Sequence, residues 1–264
     1  MCHRPRVSAQ SQVALVTGAG RGIGRGVAVR LAREGYRVAL TARSADELRE
    51  TARSITEARD GAETLVVPAD MLDPAAPDRV VGEVEAAWGP VDVLVANAGA
   101  GESAPVARMT DQMWSRQIEL NLTAPFRSIR RVVPHMVEQG WGRIVVIASL
   151  LAKRGEPYVA GYTASKHGLL GLTRSVAAEL ATTGVTANAV CPAYVDTPMT
   201  DGTVENIVRT TGRSSEEARR ILEKVQPSGR LITVDEVVQA VWFCVVNGGV
   251  NGQGINVDGG AIQS

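Results

Sequence analysis

The sequence predicts an α/β protein in which a doubly wound parallel β-sheet is covered by helices on both faces. Short β-branched runs alternate with longer amphipathic segments along most of the chain, which is typical of βαβ units with right-handed crossovers. The short runs are apolar almost throughout, as expected for strands that are buried on both faces. A length of 264 residues with 45 % hydrophobic residues suits one large domain.

The elements follow from this alternation. Predicted strands cover residues 13–17, 37–42, 64–69, 91–96, 143–148 and 185–191. Predicted helices cover roughly 22–35, 45–59, 74–88, 111–139, 158–183 and 235–246. We expect residues 1–11 to be a flexible N-terminal extension and residues 12–264 to be the domain.

A polar, helical stretch interrupts the pattern after residue 196. Pro198 and Ser214 stand where helices begin, and Gly212 and Pro227 stand where they end. The insertion, at about 196–230, is predicted to be a lid over the substrate. A plain surface excursion explains the same pattern equally well.

Composition argues for a small-molecule partner in the cytoplasm. Lys+Arg and Asp+Glu are both 28, so no overall charge favours nucleic acid or an anionic membrane. The N-terminus lacks an apolar secretion segment, and no apolar run approaches the length of a membrane span. The scattered cysteines and histidines form neither a disulfide framework nor a metal site. They are Cys2, Cys191, Cys244, His3, His135 and His167.

A glycine cluster directly after the first predicted strand favours dinucleotide binding. Gly18, Gly22 and Gly24 lie where a helix begins, so backbone N–H groups and the positive helix end can face a pyrophosphate. The spacing differs from the commoner GxGxxG, and a tight turn without a ligand is the alternative. The position of the cluster at the first βα turn favours dinucleotide binding over an empty tight turn. Ile23 lies in the same turn and is also a candidate cofactor contact.

The end of the second strand predicts NADPH in preference to NADH. An acidic residue there would bind a ribose 2′-hydroxyl, but the chain has Arg43, and Arg21 adds a second cation in the glycine turn. Two merely solvated arginines are the alternative, and NAD remains possible.

Other candidate cofactor contacts also follow strands. Asp70, beside Met71, is placed to bond the adenine amino group, and Asn97 and Gly99 follow the fourth strand. Each is ordinary turn chemistry when taken alone. Together they fall at the carboxyl ends of parallel strands, where open sheets bind ligands.

Tyr162, Lys166 and Ser149 are the candidate catalytic groups. On a helix, positions i and i+4 share a face, so the Lys166 ammonium can lie beside the Tyr162 phenol and lower its pKa. Ser149 ends the fifth apolar run, thirteen residues before Tyr162. Such a spacing also arises as an exposed helical pair, so it needs the support of the N-terminal motifs.

The motifs taken together, TGAGRGIG, Asp70, ANAG, Asn121, Ser149, YTASK and CPAYVDTP, resemble the short-chain dehydrogenase/reductase family over almost the whole chain. The resemblance implies a Rossmann-like fold, a nicotinamide cofactor and a homotetramer. It also implies roles: Tyr162 as general acid in reduction, Lys166 as the group that lowers its pKa and binds the ribose, and Ser149 as the residue that orients the carbonyl. Asn121 would hold a water in a proton relay to the lysine.

The sixth strand is followed by further expected cofactor contacts. Pro192 and Val195 would lie beside the nicotinamide, and Thr197 would bond its carboxamide, as the resemblance implies. Two residues depart from the family pattern: Ala96 replaces an asparagine, and Ala193 replaces a common glycine. The added methyl of Ala193 restricts the backbone of that loop.

The C-terminal third looks most like family members that act on 3-oxoacyl or 3-hydroxyacyl thioesters and polyketide ketones. Apolar residues flank the catalytic positions and predict a mostly apolar pocket, with core packing as the equal alternative. They are Leu150, Leu151, Pro157, Tyr158, Ala193 and Tyr194. The substrate is expected to be a ketone or alcohol, either free or linked to coenzyme A or a carrier protein. Arginines at 127, 130 and 131 are candidate phosphate contacts, although a solvated or subunit-facing surface explains them better.

The predicted activity is NADPH-dependent reduction of a ketone to a secondary alcohol. An NAD-dependent dehydrogenase that oxidises a secondary alcohol uses the same residues with Tyr162 as the base. A non-catalytic cofactor-binding subunit is the remote alternative, because a fold does not fix a function.

Overall fold

A computed structural model describes residues 12–263, so the predicted N-terminal extension over 1–11 lies outside the described residues. Within that range the chain forms one seven-stranded parallel sheet with the order β3-β2-β1-β4-β5-β6-β7. The strands are β1 (Val13–Thr17), β2 (Arg37–Thr41), β3 (Thr64–Val66), β4 (Val93–Ala96), β5 (Gly142–Ile147), β6 (Val185–Pro192) and β7 (Gly254–Val257). The predicted doubly wound, Rossmann-like fold is confirmed.

The helices cover both faces of the sheet. They are α1 (Gly22–Arg33), α2 (Ala45–Ala58), α3 (Ala76–Trp88), α4 (Asp111–Ile118), α5 (Ala124–Gln139), α6 (Ala160–Glu179), α7 (Pro198–Thr211), α8 (Ser215–Val225) and α9 (Val234–Val246). Successive strand residues point to opposite faces of the sheet and pack in two different hydrophobic cores. Leu15 packs with α3, α5 and α6, whereas Val16 packs with α1, α2 and α9. This division explains why the strands are apolar throughout.

The structure contains a seventh strand, β7, that the sequence does not predict. Gly254–Val257 pairs in parallel with β6, with Ile255 opposite Val190. The run is short, lies between glycines and is only partly buried, so its sequence lacks the signal of a buried strand.

The long helix predicted over 111–139 is divided by a π-helical turn at Glu119–Thr123. Pro125, on the first turn of α5, has no N–H to donate to the carbonyl of Asn121 four residues earlier. The helical turn therefore contains one extra residue at this point, and π-helical turns of this kind are frequent at functional sites. The sequence signal was a proline four residues after Asn121.

The insertion after β6 folds as α7 and α8, with the predicted starts and stops. Ser214 caps α8 in a capping box with Glu217, and Gly212 ends α7 in the left-handed region at φ 72°. The two helices bury a small core of their own, formed by Val204, Ala218, Leu222 and Leu231, which we call the insertion core. Its role as a lid stays a prediction.

The strand order reverses direction between β1 and β4. The chain runs from β1 to β2 on one side and from β4 to β5 on the other, so the connections after these two neighbouring strands diverge. This divergence opens a crevice at the carboxyl ends of β1 and β4. The candidate cofactor residues in the glycine turn, Arg43, Asp70, Asn97 and the loop after β6 follow strand ends on the side of the sheet where this crevice opens.

Candidate active site

Ser149, Tyr162 and Lys166 come together where β5 ends and α6 begins. Ser149 is 9 % exposed and caps a short turn, with its hydroxyl accepting a hydrogen bond from the N–H of Leu151 at 3.1 Å. Lys166 is 3 % exposed, and its Nζ lies 5.5 Å from the centre of the Tyr162 ring. In the predicted i, i+4 pair, Lys166 is therefore buried and Tyr162 is partly buried, so the pair is not a solvated helix surface.

Asn121 joins this group through the chain that follows β4. Its Nδ2 donates to the carbonyl of Ala100 at 2.9 Å, and its Oδ1 accepts from the N–H of Ala100 at 3.1 Å. A methyl group on Gly99 would lie 2.8 Å from Asn121 Oδ1 and 3.5 Å from Lys166 Nζ. Gly99 thus allows the asparagine and the lysine to approach the same point, in keeping with its predicted place at the site.

The titration of Tyr162 differs from the expectation. The sequence predicts that Lys166 lowers its pKa, but burial raises the pKa of Tyr162, and a hydrogen bond with Ser149 opposes this shift. Lys166 Nζ is instead directed at the carbonyl of Ile147, at 2.8 Å. Tyr162 consequently keeps its proton at neutral pH, which is the state that a general acid requires.

The glycine turn after β1 has the close approach that a pyrophosphate site needs. A methyl group on Gly24 would lie 2.1 Å from the carbonyl oxygen of Gly18, and Gly18 and Gly22 have φ values of 64° and 53°. Only glycine satisfies these constraints without strain. With the turn at the N-terminus of α1, the residues present fit a dinucleotide cofactor.

Residues that the sequence does not single out hold this turn. Thr51 Oγ1 donates to the carbonyl of Ala19 at 2.9 Å, and the guanidinium of Arg25 donates to that of Gly20 at 2.7 Å. Both side chains come from helices that pack behind the turn. The only sequence signal was a threonine on the buried face of an amphipathic helix, which is not specific.

Asn97 acts on the same turn through its side chain. Its Nδ2 donates to the carbonyls of Thr17 and Gly18 at 3.0 and 3.1 Å, and Thr17 Oγ1 accepts from the N–H groups of Asn97 and Ala98. The amide of Asn97 is thus used to join β1 to β4. Because the side chain is engaged, only the backbone of Asn97 is available for the predicted contact with the cofactor.

Arg21, in the glycine turn, and Arg43, shortly after β2, are both exposed. Arg21 forms an ion pair with Glu47 on α2, with 3.6 Å between Nη1 and Oε1. Arg43 makes no ion pair with residues of the described range, and it immediately precedes Ser44, which caps α2. Of the two cations, Arg43 is therefore the one whose charge is available to a ligand such as a 2′-phosphate.

Asp70 and Met71 follow β3 with different exposure. Asp70 is exposed and accepts a hydrogen bond from the N–H of Leu72 through Oδ1 at 3.0 Å, which leaves Oδ2 for a ligand. The Met71 side chain is 4 % exposed within the core, so only its backbone is available to an adenine ring.

The loop after β6 carries the remaining predicted cofactor contacts. The Val195 carbonyl accepts from the hydroxyls of Thr197 and Thr200, and the Thr197 methyl group faces Gly22. The loop therefore lies against the glycine turn. In the described part of the chain, Tyr158 alone among the non-glycine residues has a positive φ, so the methyl of Ala193 creates no backbone strain.

The predicted pocket residues differ in exposure. Leu150 and Leu151 are 3 % and 8 % exposed and offer little surface, whereas Tyr158 is 65 % exposed and Pro157 is also exposed. Tyr194 is partly buried against the insertion core, and its hydroxyl donates to Glu156 Oε1 at 2.9 Å. Their role as a substrate pocket stays a prediction.

Comparison with known proteins decides the family. A model of the short chain dehydrogenase family matches residues 12–207. The chain belongs to this family. A protein of Streptomyces coelicolor, named as a ketoacyl reductase, is 42 % identical over 95 % of this chain and 97 % of its own length. The 3-oxoacyl-(acyl-carrier-protein) reductase FabG of Escherichia coli is 35 % identical, over 95 % of this chain and 97 % of its own.

A solved structure gives the same answer as these relatives of the short-chain dehydrogenase. A single-residue variant of the actinorhodin polyketide ketoreductase, solved with NADPH, superposes with a TM-score of 0.91 at 40 % identity, covering 97 % of this chain and 99 % of that one. The chain is therefore an NAD(P)-binding oxidoreductase that acts on CH–OH groups and their ketones.

Two further findings concern the described residues of this short-chain dehydrogenase. They contain no cluster of metal-ligating side chains, and none of their helices is long and apolar enough to cross a membrane. Cys191 and Cys244 are buried free thiols.

The buried Lys166 predicts a specific pH dependence of stability. Burial lowers the pKa of Lys166 from 10.5 to about 8, so below about pH 8 the folded state bears the full cost of a buried charge. Between about pH 8 and 10.5 the unfolded chain binds more protons, and the free energy of unfolding rises by about 3 kcal/mol from this group. Lys166→Met should lose this rise when urea unfolding is compared at about pH 7.5 and about pH 10.

The control is Lys224→Met, which removes an exposed lysine of α8. If Lys166→Met keeps the same rise with pH as the wild-type protein, burial does not control this lysine.

Proposed function

We propose that this short-chain dehydrogenase is an NADPH-dependent reductase that converts a 3-oxoacyl thioester or a polyketide-type ketone to its secondary alcohol. The observation that carries the proposal is the meeting of Ser149, Tyr162 and Lys166 between β5 and α6, where Lys166 is buried with its Nζ 5.5 Å from the centre of the Tyr162 ring. Burial raises the pKa of Tyr162, in keeping with a phenol that holds its proton at neutral pH. A protonated phenol is suited to reduction, because the product oxygen needs a proton.

The chain's own groups account for the proton chemistry. The Ser149 hydroxyl and the Tyr162 phenol are positioned to donate to the carbonyl oxygen, which gains charge as the reaction proceeds. The phenol then transfers its proton to that oxygen, and the nearby Lys166 ammonium stabilises the phenolate that remains. Asn121 positions the chain around Gly99 beside the lysine.

A nicotinamide cofactor supplies the hydride when it is bound. The glycine turn with Gly18, Gly22 and Gly24 would hold its pyrophosphate, with Asp70 at the adenine, Lys166 at the nicotinamide ribose and Thr197 at the carboxamide. The fit rests on the close approach of Gly24 to Gly18, which leaves space for backbone but not for a side chain.

The preference for NADPH rests on Arg43. This exposed cation has no ion pair within the described residues and lies at the positive N-terminus of α2, next to the capping residue Ser44. A 2′-phosphate would gain a charge-assisted hydrogen bond there. Glu47 is close to the turn, but its charge is offset by Arg21.

The thioester or polyketide substrate is proposed from the relatives. The ketoacyl reductase and FabG names describe 3-oxoacyl substrates, whereas a D-beta-hydroxybutyrate dehydrogenase of Rhizobium meliloti, 34 % identical over 95 % of this chain, names a hydroxy acid. Because of the hydroxybutyrate dehydrogenase, oxidation of a 3-hydroxy acid is the alternative function.

A panel of ketones and alcohols with both cofactors tests the proposal. We expect N-acetylcysteamine 3-oxoacyl thioesters to be reduced, with a Michaelis constant at least about tenfold lower for NADPH than for NADH. Arg43→Ser should reduce this preference to within a few-fold, while Arg49→Ser, on the outer surface of α2, should keep it. A clear NADH preference contradicts the cofactor assignment, and oxidation of 3-hydroxy acids without ketone reduction contradicts the reaction.

A homotetramer in the cytoplasm remains a prediction from the family resemblance. Trp114 on α4 and Phe126 on α5 are 43 % and 41 % exposed, which supports an assembly surface on these helices. The mass from light scattering tests this prediction.

A further inference from the structure

The chain that follows β4 lies against the ring of Tyr162. A methyl group on Gly101 would lie 3.2 Å from Tyr162 Cδ2, which is closer than two carbon atoms normally approach. Gly101 belongs to residues 97–105, which follow β4 and which we call the β4 loop. Backbone without a side chain therefore covers this part of the phenol ring, and its position depends on the groups that hold the β4 loop.

Two amide side chains from one helical region hold the β4 loop. Asn121 bonds the N–H and the carbonyl of Ala100, at 3.1 and 2.9 Å. Gln117, four residues earlier at the end of α4, accepts the N–H of Glu102 through Oε1 at 3.2 Å. The two bonded residues stand directly before and after Gly101, so the amides together fix the residue that lies against the phenol ring.

Gln117 also touches the beginning of α6, the helix that carries Tyr162. A methyl group on Gly161 would lie 2.8 Å from Gln117 Nε2, and Gly161 immediately precedes Tyr162. One amide thus contacts both the β4 loop and the first turn of α6. Gln117 is therefore placed to set the position of Gly101 relative to the phenol.

The burial of Gln117 is unusual for a glutamine. Its side chain is 2 % exposed, and it is the only buried one among the eight residues of α4. Its Nε2 has no hydrogen-bond acceptor within the described part of the chain. A buried donor without a partner costs stability, so an apolar side chain would suit this position better if its only task were packing.

We propose that Gln117 is a positioning residue for catalysis, whose amide holds the β4 loop against the phenol ring of Tyr162. The inference rests on the proposed ketone reduction, in which Tyr162 is the general acid. A β4 loop that moves away would let the phenol leave the geometry that proton transfer requires. The effect should fall on kcat, because a side chain that is 2 % exposed offers almost no surface to substrate or cofactor.

Gln117→Met tests the proposal, because methionine keeps the length of the side chain and removes the amide. We expect kcat for ketone reduction to fall about tenfold, with KM changed less than about twofold. The midpoint of urea unfolding should stay close to the wild-type value, because the variant loses one hydrogen bond but also the unpartnered donor. A purely structural residue would show the opposite pattern, with a lower midpoint and an unchanged kcat.

The control is Gln112→Met, which makes the same substitution at an exposed position of the same helix. Its kcat, KM and unfolding midpoint should all remain near the wild-type values.

The pH dependence of kcat is a second readout that a purely structural role would not move. Burial raises the pKa of Tyr162, so water that reaches the ring should lower it. Reduction requires the protonated phenol, and kcat therefore falls as the pH rises through this pKa. We expect the fall to occur about half a pH unit lower, or more, in Gln117→Met. Ser149, Lys166 and Tyr194, the polar groups that interact with Tyr162, are the same in both proteins.

Amide hydrogen exchange of the β4 loop tests the contact without any turnover. The N–H of Glu102 loses its acceptor in Gln117→Met, so peptides that cover 97–105 should exchange about tenfold faster than in the wild-type protein. The same peptides in Gln112→Met should exchange at the wild-type rate.

The outcomes distinguish this inference from the proposed function. If kcat and its pH dependence are unchanged in Gln117→Met, or if the β4 loop exchanges as in the wild-type protein, the inference is wrong and the reductase assignment stands. An unfolded or strongly destabilised Gln117→Met makes the residue structural and also overturns the inference. If the wild-type protein reduces no ketone of the panel with either cofactor, the proposed function is wrong and the inference falls with it.

Discussion

Replacing Tyr162 by phenylalanine is expected to lower kcat for ketone reduction by about 1,000-fold, because the variant loses the proton that the product oxygen receives. The ring remains, so its packing and its contact with Lys166 are retained. NADPH binding, measured by titration of cofactor fluorescence, should change less than about threefold, because no phosphate or adenine contact is altered.

Tyr36→Phe is the matched control for this change. It removes the hydroxyl of a tyrosine outside the site, which is 6 % exposed and packs against Trp242 on α9. We expect its kcat to remain near the wild-type value. Substantial turnover by Tyr162→Phe would exclude Tyr162 as the general acid.

Replacing Gly24 by alanine is expected to abolish useful cofactor binding. The new methyl group would lie 2.1 Å from the carbonyl oxygen of Gly18 and 2.6 Å from Asn97 Nδ2, so the turn must move. We expect the affinity for NADPH to fall roughly 100-fold, which corresponds to about 3 kcal/mol. The overpacking should also destabilise the fold by about 1–3 kcal/mol in urea unfolding.

Gly82→Ala provides the same chemical change in a different setting. Gly82 lies within α3, and a methyl group there meets no atom within 4 Å. Because alanine is the better helix former, this variant should be as stable as the wild-type protein or more stable by up to about 1 kcal/mol, with unchanged cofactor affinity. Wild-type NADPH affinity in Gly24→Ala would contradict the assignment of the turn.

The sequence predicts the parts of the fold that have a strong local signal. β1 to β6 lie in mostly apolar runs, α7 ends at Gly212, and α8 is capped by Ser214. β7 is not predicted because a short, half-buried strand at the sheet edge is recognised by its pairing with β6, which is a contact distant in sequence.

The candidate site shows the same division. Ser149, Tyr162 and Lys166 are predicted from spacing, and the structure brings them together. The supporting contacts could not be predicted, since Thr51 and Arg25 reach the glycine turn from α2 and α1, and the side chain of Glu156 meets Tyr194 across 38 residues. The direction of the Tyr162 pKa shift also required the structure, because burial depends on the whole fold.

The proline at position 125 has a consequence for how this helical region tolerates change. α4 packs on α6, whereas α5 packs on the sheet and on α3, so the two helices present differently oriented contact faces. The π-helical turn between them supplies the angular offset, since each residue of a regular helix advances the direction of its side chain by about 100°. Adding or deleting one residue on either side would rotate Asn121 away from Ala100. The region can therefore vary in side chains but not in length.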